Sequence, residues 1–175
     1  MILVCPLSQV SELIALHRPG CVVSLLDPEG SFPDLGPDYV GRHLRLGFHD
    51  ICVPGEHLVM PSAEHVAALL GFLRAWDRND PLLIHCRAGI SRSTAAAFVA
   101  ACYANPDTSE YEIAVALRRA APLARPNETL VRLADAALGR SGRMSEAIAA
   151  TAHDLPWIEV EEAEPAELTL HRPIP

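Results

Sequence analysis

The sequence contains no lysine, so arginine alone carries its positive charge. The chain has 175 residues, with 14 arginines against 22 acidic residues and a formal net charge of -8. Nucleic-acid surfaces and polybasic membrane patches both need clustered positive charge. The composition therefore argues against nucleic-acid and membrane partners and leaves room for a single local anion site.

Paired cysteines and targeting segments are also lacking. The five cysteines lie far apart, at Cys5, Cys21, Cys52, Cys86 and Cys102. Because their number is odd and none forms a CxxC pair, neither a disulfide framework nor a zinc knuckle is expected, and a reducing, cytoplasmic setting fits best. The opening MILVCPLSQV has no charged segment and only a short apolar run, too short for a signal peptide or a spanning helix.

The histidines do not indicate a metal site. Eight are present, but His43, His49, His57 and His65 share no HxxxH or HExxH spacing. We therefore expect neither a metal nor a cofactor.

Short apolar runs alternate with amphipathic stretches through the first half of the chain, which predicts a mainly parallel sheet. Strands are expected at 2–5, 21–26, 43–48 and 81–86. Helices are expected at 8–17, 62–77, 91–104, 108–121, 127–138 and 144–153. The predicted fold is α/β, a single domain with a mainly parallel central sheet of four to five strands flanked by helices and a mostly helical C-terminal half.

The domain is expected to span 1–153. Residues 154–175 contain six acidic residues and four prolines against one arginine. That composition predicts an extended or partly disordered tail. A self-regulatory or partner-binding role for the tail is the alternative to plain solvated chain.

One stretch, PLLIHCRAGISRST at 81–94, carries a specific motif. A cysteine followed six residues later by an arginine would occur by chance roughly 0.4 times in such a chain. Requiring the preceding His, a Gly three residues after the Cys and a Ser or Thr after the Arg lowers that expectation to roughly one in ten thousand. A buried strand is predicted before the motif and a helix after it.

A loop between a parallel strand and a helix lies at the carboxyl edge of the sheet, where such folds bind ligands. Its backbone amides and the positive end of the following helix dipole favour a dianion. The same field stabilises a thiolate at Cys86. The expected phosphate-binding residues are Arg87, Ala88, Gly89, Ile90, Ser91 and Arg92.

Each polar position of the motif has a chemical interpretation. Arg92 has a planar fork that can hold two phosphoryl oxygens, and Gly89 lets the backbone approach the anion. Ser93 could donate a hydrogen bond to the Cys86 sulfur and make it a better leaving group. His85 is expected to be buried and to hold the loop by hydrogen bonds. Without the motif, Cys86 would be interpreted as a buried structural cysteine.

HCRAGISRST resembles the signature loop of the cysteine-dependent protein tyrosine phosphatases, and its position in the chain is most similar to the compact dual-specificity branch. The resemblance covers about 21–139, with a specific signature and a weak match elsewhere. It implies a two-step reaction through a phosphocysteine, without metal. A phosphorylated protein is the expected substrate, because no lysine flanks the loop to bind a highly charged phosphoinositide. Rhodanese-type sulfurtransferases fit less well because their loop is usually shorter, and low-molecular-weight phosphatases carry their cysteine near the N-terminus.

The resemblance also implies a general acid, an aspartate some 30 to 40 residues before the nucleophile. Asp50 in GFHDICVPG matches that position, and Asp27, at the end of another strand, is the alternative. Asn127 matches an asparagine that supports the phosphate loop in dual-specificity relatives, although it could equally be an ordinary helix N-cap.

Several alternatives stay open at this point. The chain could be a non-catalytic phosphate-binding module, or a phosphatase for a small non-protein ester. Cys52 could form a protective disulfide with Cys86 or simply pack. Arg118, Arg119 and Arg125 are expected to be solvent-facing, with a second anion contact as the other interpretation. Oligomeric state and the choice between phosphotyrosine and phosphoserine or phosphothreonine do not follow from the sequence.

Overall fold

Five strands and six α-helices are present in the computed structural model, which describes residues 1–152 and 161–169. The strands are β1 Ile2–Pro6, β2 Cys21–Leu26, β3 Arg42–Gly47, β4 Leu82–Cys86 and β5 Ala166–Leu168. The helices are α1 Val10–His17, α2 Ala63–Arg74, α3 Arg92–Ala104, α4 Glu110–Ala120, α5 Glu128–Ala137 and α6 Arg143–Ala150. The predicted α/β class is confirmed.

The strands form one sheet in the order β3-β2-β4-β1-β5. β1 to β4 run parallel, and β5 pairs antiparallel with β1. The three inner strands are buried at every residue, because helices cover both faces of the sheet. This is why CVVSLL and PLLIHC have continuous apolar runs rather than alternating patterns.

The two faces of the sheet are covered by different numbers of helices. α1 covers one face, where Val10 and Leu13 pack against Leu3, Val22 and Leu83. The other five helices lie on the opposite face around α3. The alanine-rich α3 is buried on all sides from Arg92 to Cys102, since small side chains let neighbouring elements approach closely.

Both edges of the sheet are protected. β3 carries the polar residues Arg42, His43 and Arg45, and β5 is only three residues long; charge and short length both discourage edge pairing. β5 comes from the predicted tail, so part of that segment belongs to the sheet. The predicted boundary at 153/154 and residues 170–175 lie outside the described residues. The division into domain and tail stays a prediction.

The strand order decides where the candidate site residues meet. β3, β2 and β4 are neighbours and parallel, so their carboxyl ends lie side by side. Asp27 follows β2, Phe48 to Asp50 follow β3, and Cys86 ends β4. Three segments far apart in the chain therefore converge on one edge. Within the described residues, no helix is long and apolar enough to cross a membrane.

Candidate active site

Cys86 lies at the last position of β4, directly before the loop 87–91 and α3. Its side chain is 2% exposed, and its Sγ lies 3.1 Å from the Oγ of the buried Ser93 in the first turn of α3. The strand-to-helix transition predicted for the motif therefore holds, and the serine is within hydrogen-bond distance of the sulfur.

Carbonyl groups of the loop 87–91 accept hydrogen bonds from the surrounding segments of the chain. Four accept a backbone amide: Arg87 from Leu7 at 3.2 Å, Ala88 from Ala163 at 2.8 Å, Ile90 from Arg125 at 2.8 Å and Ser91 from Asn127 at 3.4 Å. Within the described part of the chain, the amides of residues 87–91 donate no such bond. These amides are therefore available to hydrogen-bond an anion, as in the backbone nests of anion-binding loops.

Gly89 is required by close packing. Its φ is +74°, and a Cβ at this position would lie 2.8 Å from the Pro6 nitrogen and 2.9 Å from the Cys5 carbonyl carbon. Any side chain would push the loop away from the end of β1 and would also strain the backbone. Glycine is thus required at position 89 because the end of β1 leaves no room for a Cβ atom.

Arg92 is 4% exposed and is anchored through one nitrogen. Its Nη1 donates to Asp27 Oδ1 at 2.7 Å and to the Phe48 carbonyl at 2.8 Å. Its Nε is buried and has no hydrogen-bond partner in the described residues, with Asp50 Oδ2 4.0 Å away. One edge of the guanidinium is thus fixed, while the Nε side is available for an oxyanion.

Asp50 contacts the loop 87–91. Its Oδ1 accepts a hydrogen bond of 2.6 Å from the Ser91 hydroxyl and one of 2.9 Å from Asn127 Nδ2. The side chain is 34% exposed, so its carboxyl group is also open to solvent. Asp27, the alternative acid, is the closer ion-pair partner of Arg92, at 2.7 Å against 4.0 Å for Asp50.

Asn127 is the N-cap of α5, and support of the loop 87–91 by its side chain stays an expectation from the resemblance. Its Oδ1 accepts from the Leu130 amide at 3.0 Å, which makes it the N-cap of α5. Its Nδ2 donates to Asp50 and, at 3.3 Å, to the Ile51 carbonyl. The residue therefore links the start of α5 to the loop that carries Asp50.

Solved structures of phosphatases share this arrangement of strands and helices. No protein-family model and no curated protein sequence matches the chain. Human DUSP28 aligns at 17% identity over 80% of this chain and 89% of its own, with a TM-score of 0.60. The Yvh1 phosphatase domain from Chaetomium thermophilum aligns at 19% identity over 82% and 93%, with a TM-score of 0.59.

The chain has the dual-specificity phosphatase fold. The human tyrosine phosphatase-like serine/threonine/tyrosine-interacting protein shares it too, at 15% identity over 80% of this chain and 92% of its own, with a TM-score of 0.61. At such identities the likeness shows the fold alone.

Within this phosphatase fold, His85 is fully buried and belongs to a hydrogen-bonded row of side chains. Its Nε2 lies 2.5 Å from Ser24 Oγ, which lies 2.7 Å from His43 Nε2. Arg45 Nε donates to His43 Nδ1 at 3.3 Å, so His43 donates to Ser24 and Ser24 donates to His85. His85 then carries its proton on Nδ1. This nitrogen faces the Cys86 backbone, but the two do not form a hydrogen bond of standard geometry.

Burial has the same effect on both imidazoles of this row. It lowers the pKa of His85 to about 4 and that of His43 to about 4, because a buried ring lacks the hydration that would stabilise its charged form. Both rings are therefore neutral near pH 7. The row of hydrogen bonds requires this, because one nitrogen of each ring accepts a hydrogen bond.

Sequence reasoning missed Ser24, His43 and the anchoring role of Asp27. Ser24 had a usable signal, since a hydroxyl inside the apolar run CVVSLL must find a partner when buried. The backbone donors of Leu7 and Ala163 carry no sequence signal. Cys52 is exposed and unpaired. The described residues contain no group of three His, Cys, Asp or Glu side chains placed to hold a metal ion.

Proposed function

We propose that this protein is a cysteine-based phosphomonoester hydrolase that removes phosphate from phosphotyrosine proteins, with phosphoserine and phosphothreonine as further substrates. The observation that carries the proposal is the pair of unused donor sets around Cys86. Among the described residues, the amides of residues 87–91 donate no backbone hydrogen bond, and the buried Nε of Arg92 has no partner. Leaving the buried Nε without a partner is costly, and a phosphoryl group would accept hydrogen bonds from it and from the loop amides.

In the first step, the Cys86 thiolate attacks phosphorus and the bond from phosphorus to the leaving oxygen breaks. Arg92 and the loop amides stabilise the three equatorial oxygens as charge builds up on them. Asp50 donates its proton to the leaving oxygen, so the alcohol or phenol departs neutral. The product on the enzyme is a phosphocysteine.

In the second step, the Asp50 carboxylate takes a proton from water, whose oxygen attacks phosphorus while the bond between sulfur and phosphorus breaks. Ser93, 3.1 Å from the sulfur, donates to the departing thiolate. Phosphate leaves, and Asp50 is protonated again for the next cycle. No metal or cofactor enters this scheme, and a thiolate nucleophile fits a reducing, cytoplasmic setting.

A phosphorylated protein suits the chain better than a highly charged lipid headgroup. The chain has no lysine and a net charge of -8. Arg87, which is exposed, is the one further cation within the signature. An anionic membrane surface would be repelled by that net charge.

The first experiment is steady-state hydrolysis of an aryl phosphate. We expect turnover by the wild type and none by Cys86→Ser. Cys21→Ala, at the amino end of β2 and so far from the candidate site, is the matched control and should retain activity. If the wild type binds phosphate but is as inactive as Cys86→Ser, the protein is a phosphate-binding module and the proposal fails.

The second experiment identifies the acid. Asp50→Asn should slow the hydrolysis of substrates with poor leaving groups by about 10² to 10⁴, and should slow good leaving groups much less. Equal slowing of both substrate types would contradict the assignment. Asp27→Asn is the comparison, because that residue contacts Arg92 and should show no dependence on the leaving group.

A further inference from the structure

His49 directly precedes the proposed acid Asp50 and shapes the backbone around it. Its carbonyl accepts a hydrogen bond from the Ile51 amide at 3.0 Å, which forms a tight turn with Asp50 at its centre. Its amide donates to the Val59 carbonyl at 2.8 Å. The backbone of His49 thus forms the turn that carries Asp50 and closes the segment 49–59, which we call the acid loop.

Both nitrogens of the His49 side chain also form hydrogen bonds. Nδ1 accepts from the Val59 amide at 2.9 Å, and Nε2 lies 3.1 Å from Glu29 Oε1. Because a backbone amide only donates, Nδ1 carries no proton, so the ring proton lies on Nε2 and is donated to the Glu29 carboxylate. The side chain therefore connects the two ends of the acid loop and attaches that loop to the segment after β2.

Glu29 lies in a segment that also contacts Arg92. Asp27, two residues earlier, accepts from Arg92 Nη1 at 2.7 Å. The segment is closed by a hydrogen bond of 2.8 Å from the Gly30 amide to the Asp27 carbonyl. It thus binds the arginine through Asp27 and the acid loop through Glu29. The contact between His49 and Glu29 therefore fixes the acid loop relative to the guanidinium of Arg92.

A second histidine of the acid loop shows that these contacts are not general to it. The side chain of His57 is 91% exposed, and its ion-pair contact is with the similarly exposed Glu56 at 3.6 Å. The side chain of His49 is 13% exposed, although its partner Glu29 is 73% exposed. His49 is therefore enclosed between two segments, whereas His57 lies in solvent.

We propose that His49 is a positioning residue that holds the acid loop, so that the Asp50 carboxyl stays at the loop 87–91 through both chemical steps. The bonds that Asp50 accepts from Ser91 and Asn127 change in strength whenever its carboxyl gains or loses a proton. The bonds of His49 do not involve that carboxyl, so they persist through the cycle. A general acid has to stay within hydrogen-bond reach of the leaving oxygen, and these bonds keep it there.

This inference deepens the proposed function and rests on it for the role of Asp50. The test is steady-state hydrolysis, by the full chain, of aryl phosphates with good and with poor leaving groups. His49→Ala removes both side-chain bonds and should slow the poor leaving groups roughly 10-fold, the size of one hydrogen bond, and the good ones much less. His49→Asn keeps an acceptor at the position of Nδ1 and should retain part of the rate. Glu29→Ala should show a smaller effect of the same kind, because solvent screens this exposed partner.

The control is His57→Asn, which changes the exposed histidine of the same loop and should keep the wild-type rate for both kinds of substrate. Adding His49→Ala to Asp50→Asn should slow the poor leaving groups no further than Asp50→Asn alone, because no acid is left to position. Hydrogen exchange of the Val59 amide needs no turnover, and its protection should fall in His49→Ala and persist in His49→Asn. Thermal unfolding shows whether each variant is folded, and Glu29→Ala serves as the test if His49→Ala unfolds.

Three results would overturn the positioning role. These are absent slowing, or equal slowing of good and poor leaving groups, in His49→Ala; a further loss in the double variant; and unchanged exchange of the Val59 amide in His49→Ala. Failure of the proposed function is a different result, the absence of aryl phosphate hydrolysis by the wild type. If hydrolysis is absent while the Val59 amide exchanges as expected, the proposed function fails and the role of His49 in closing the acid loop stands.

Discussion

The buried His85 leads to a prediction about acid stability. Its pKa falls from an ordinary 6.5 to about 4 in the folded protein. Between these values the unfolded chain binds a proton that the folded chain does not. The contribution of His85 is therefore fully present above pH 6.5 and is lost as the pH falls toward 4.

The size of this loss follows from the two pKa values. At pH 5 the unfolded histidine is almost fully protonated and the folded one is mostly neutral, which costs about 2 kcal/mol relative to pH 7. His43 adds a smaller amount, because it is half-buried and solvent screens its charge. Solvent does not screen His85 in this way, because its exposure is 0%.

The measurement is urea unfolding at pH 7 and pH 5, followed by circular dichroism. The wild type should lose about 2 kcal/mol or more of unfolding free energy between the two values. His85→Asn should lose markedly less, since it has no group to protonate. His57→Asn, at an exposed site with φ +62° that asparagine tolerates, is the control and should behave like the wild type. Identical pH dependence of wild type and His85→Asn would refute the reasoning.

Three further predictions concern the loop. Gly89→Ala should weaken phosphate binding and lower stability by at least about 1 kcal/mol through the close contact and the positive φ; unchanged phosphate affinity would contradict this. Ala163→Pro removes the amide that holds the Ala88 carbonyl, so it should raise KM more than Ala163→Gly, which keeps the donor; equal effects would leave the C-terminal segment without a role in the loop. Ser93→Ala should slow phosphocysteine breakdown and produce a pre-steady-state burst of phenolate, and a linear time course would contradict the role of Ser93.

Much of the fold could be predicted because its signals are local. The fully buried β2 and β4 produce continuous apolar runs, and the alanine-rich α3 produces a helix that is apolar all round. β5 could not be predicted, since three residues in an acidic, proline-containing segment have no periodicity. Its pairing with β1 depends on a strand more than 150 residues away in the chain.

The candidate site also contains residues that the local sequence could place and residues that it could not. The motif placed Cys86, Arg92 and Ser93 together, because a strand, a short loop and a helix start bring residues of fixed spacing to one point. The proximity of Asp50 to this loop was an expectation from resemblance, and the structure has them in contact through Ser91. Nothing in the spacing showed that Asp27 would anchor Arg92.

The sequence alone determined the α/β alternation and the strand–loop–helix geometry around Cys86, because backbone preference and motif spacing act within a few residues. Only the tertiary structure decided that Asp27 anchors Arg92, that Ser24 supports His85, and that Arg118 lines a cavity while the adjacent Arg119 is exposed. Those outcomes depend on contacts between segments that are distant in the chain. Strand order and helix orientation set such contacts, and neither is recorded in local residue patterns.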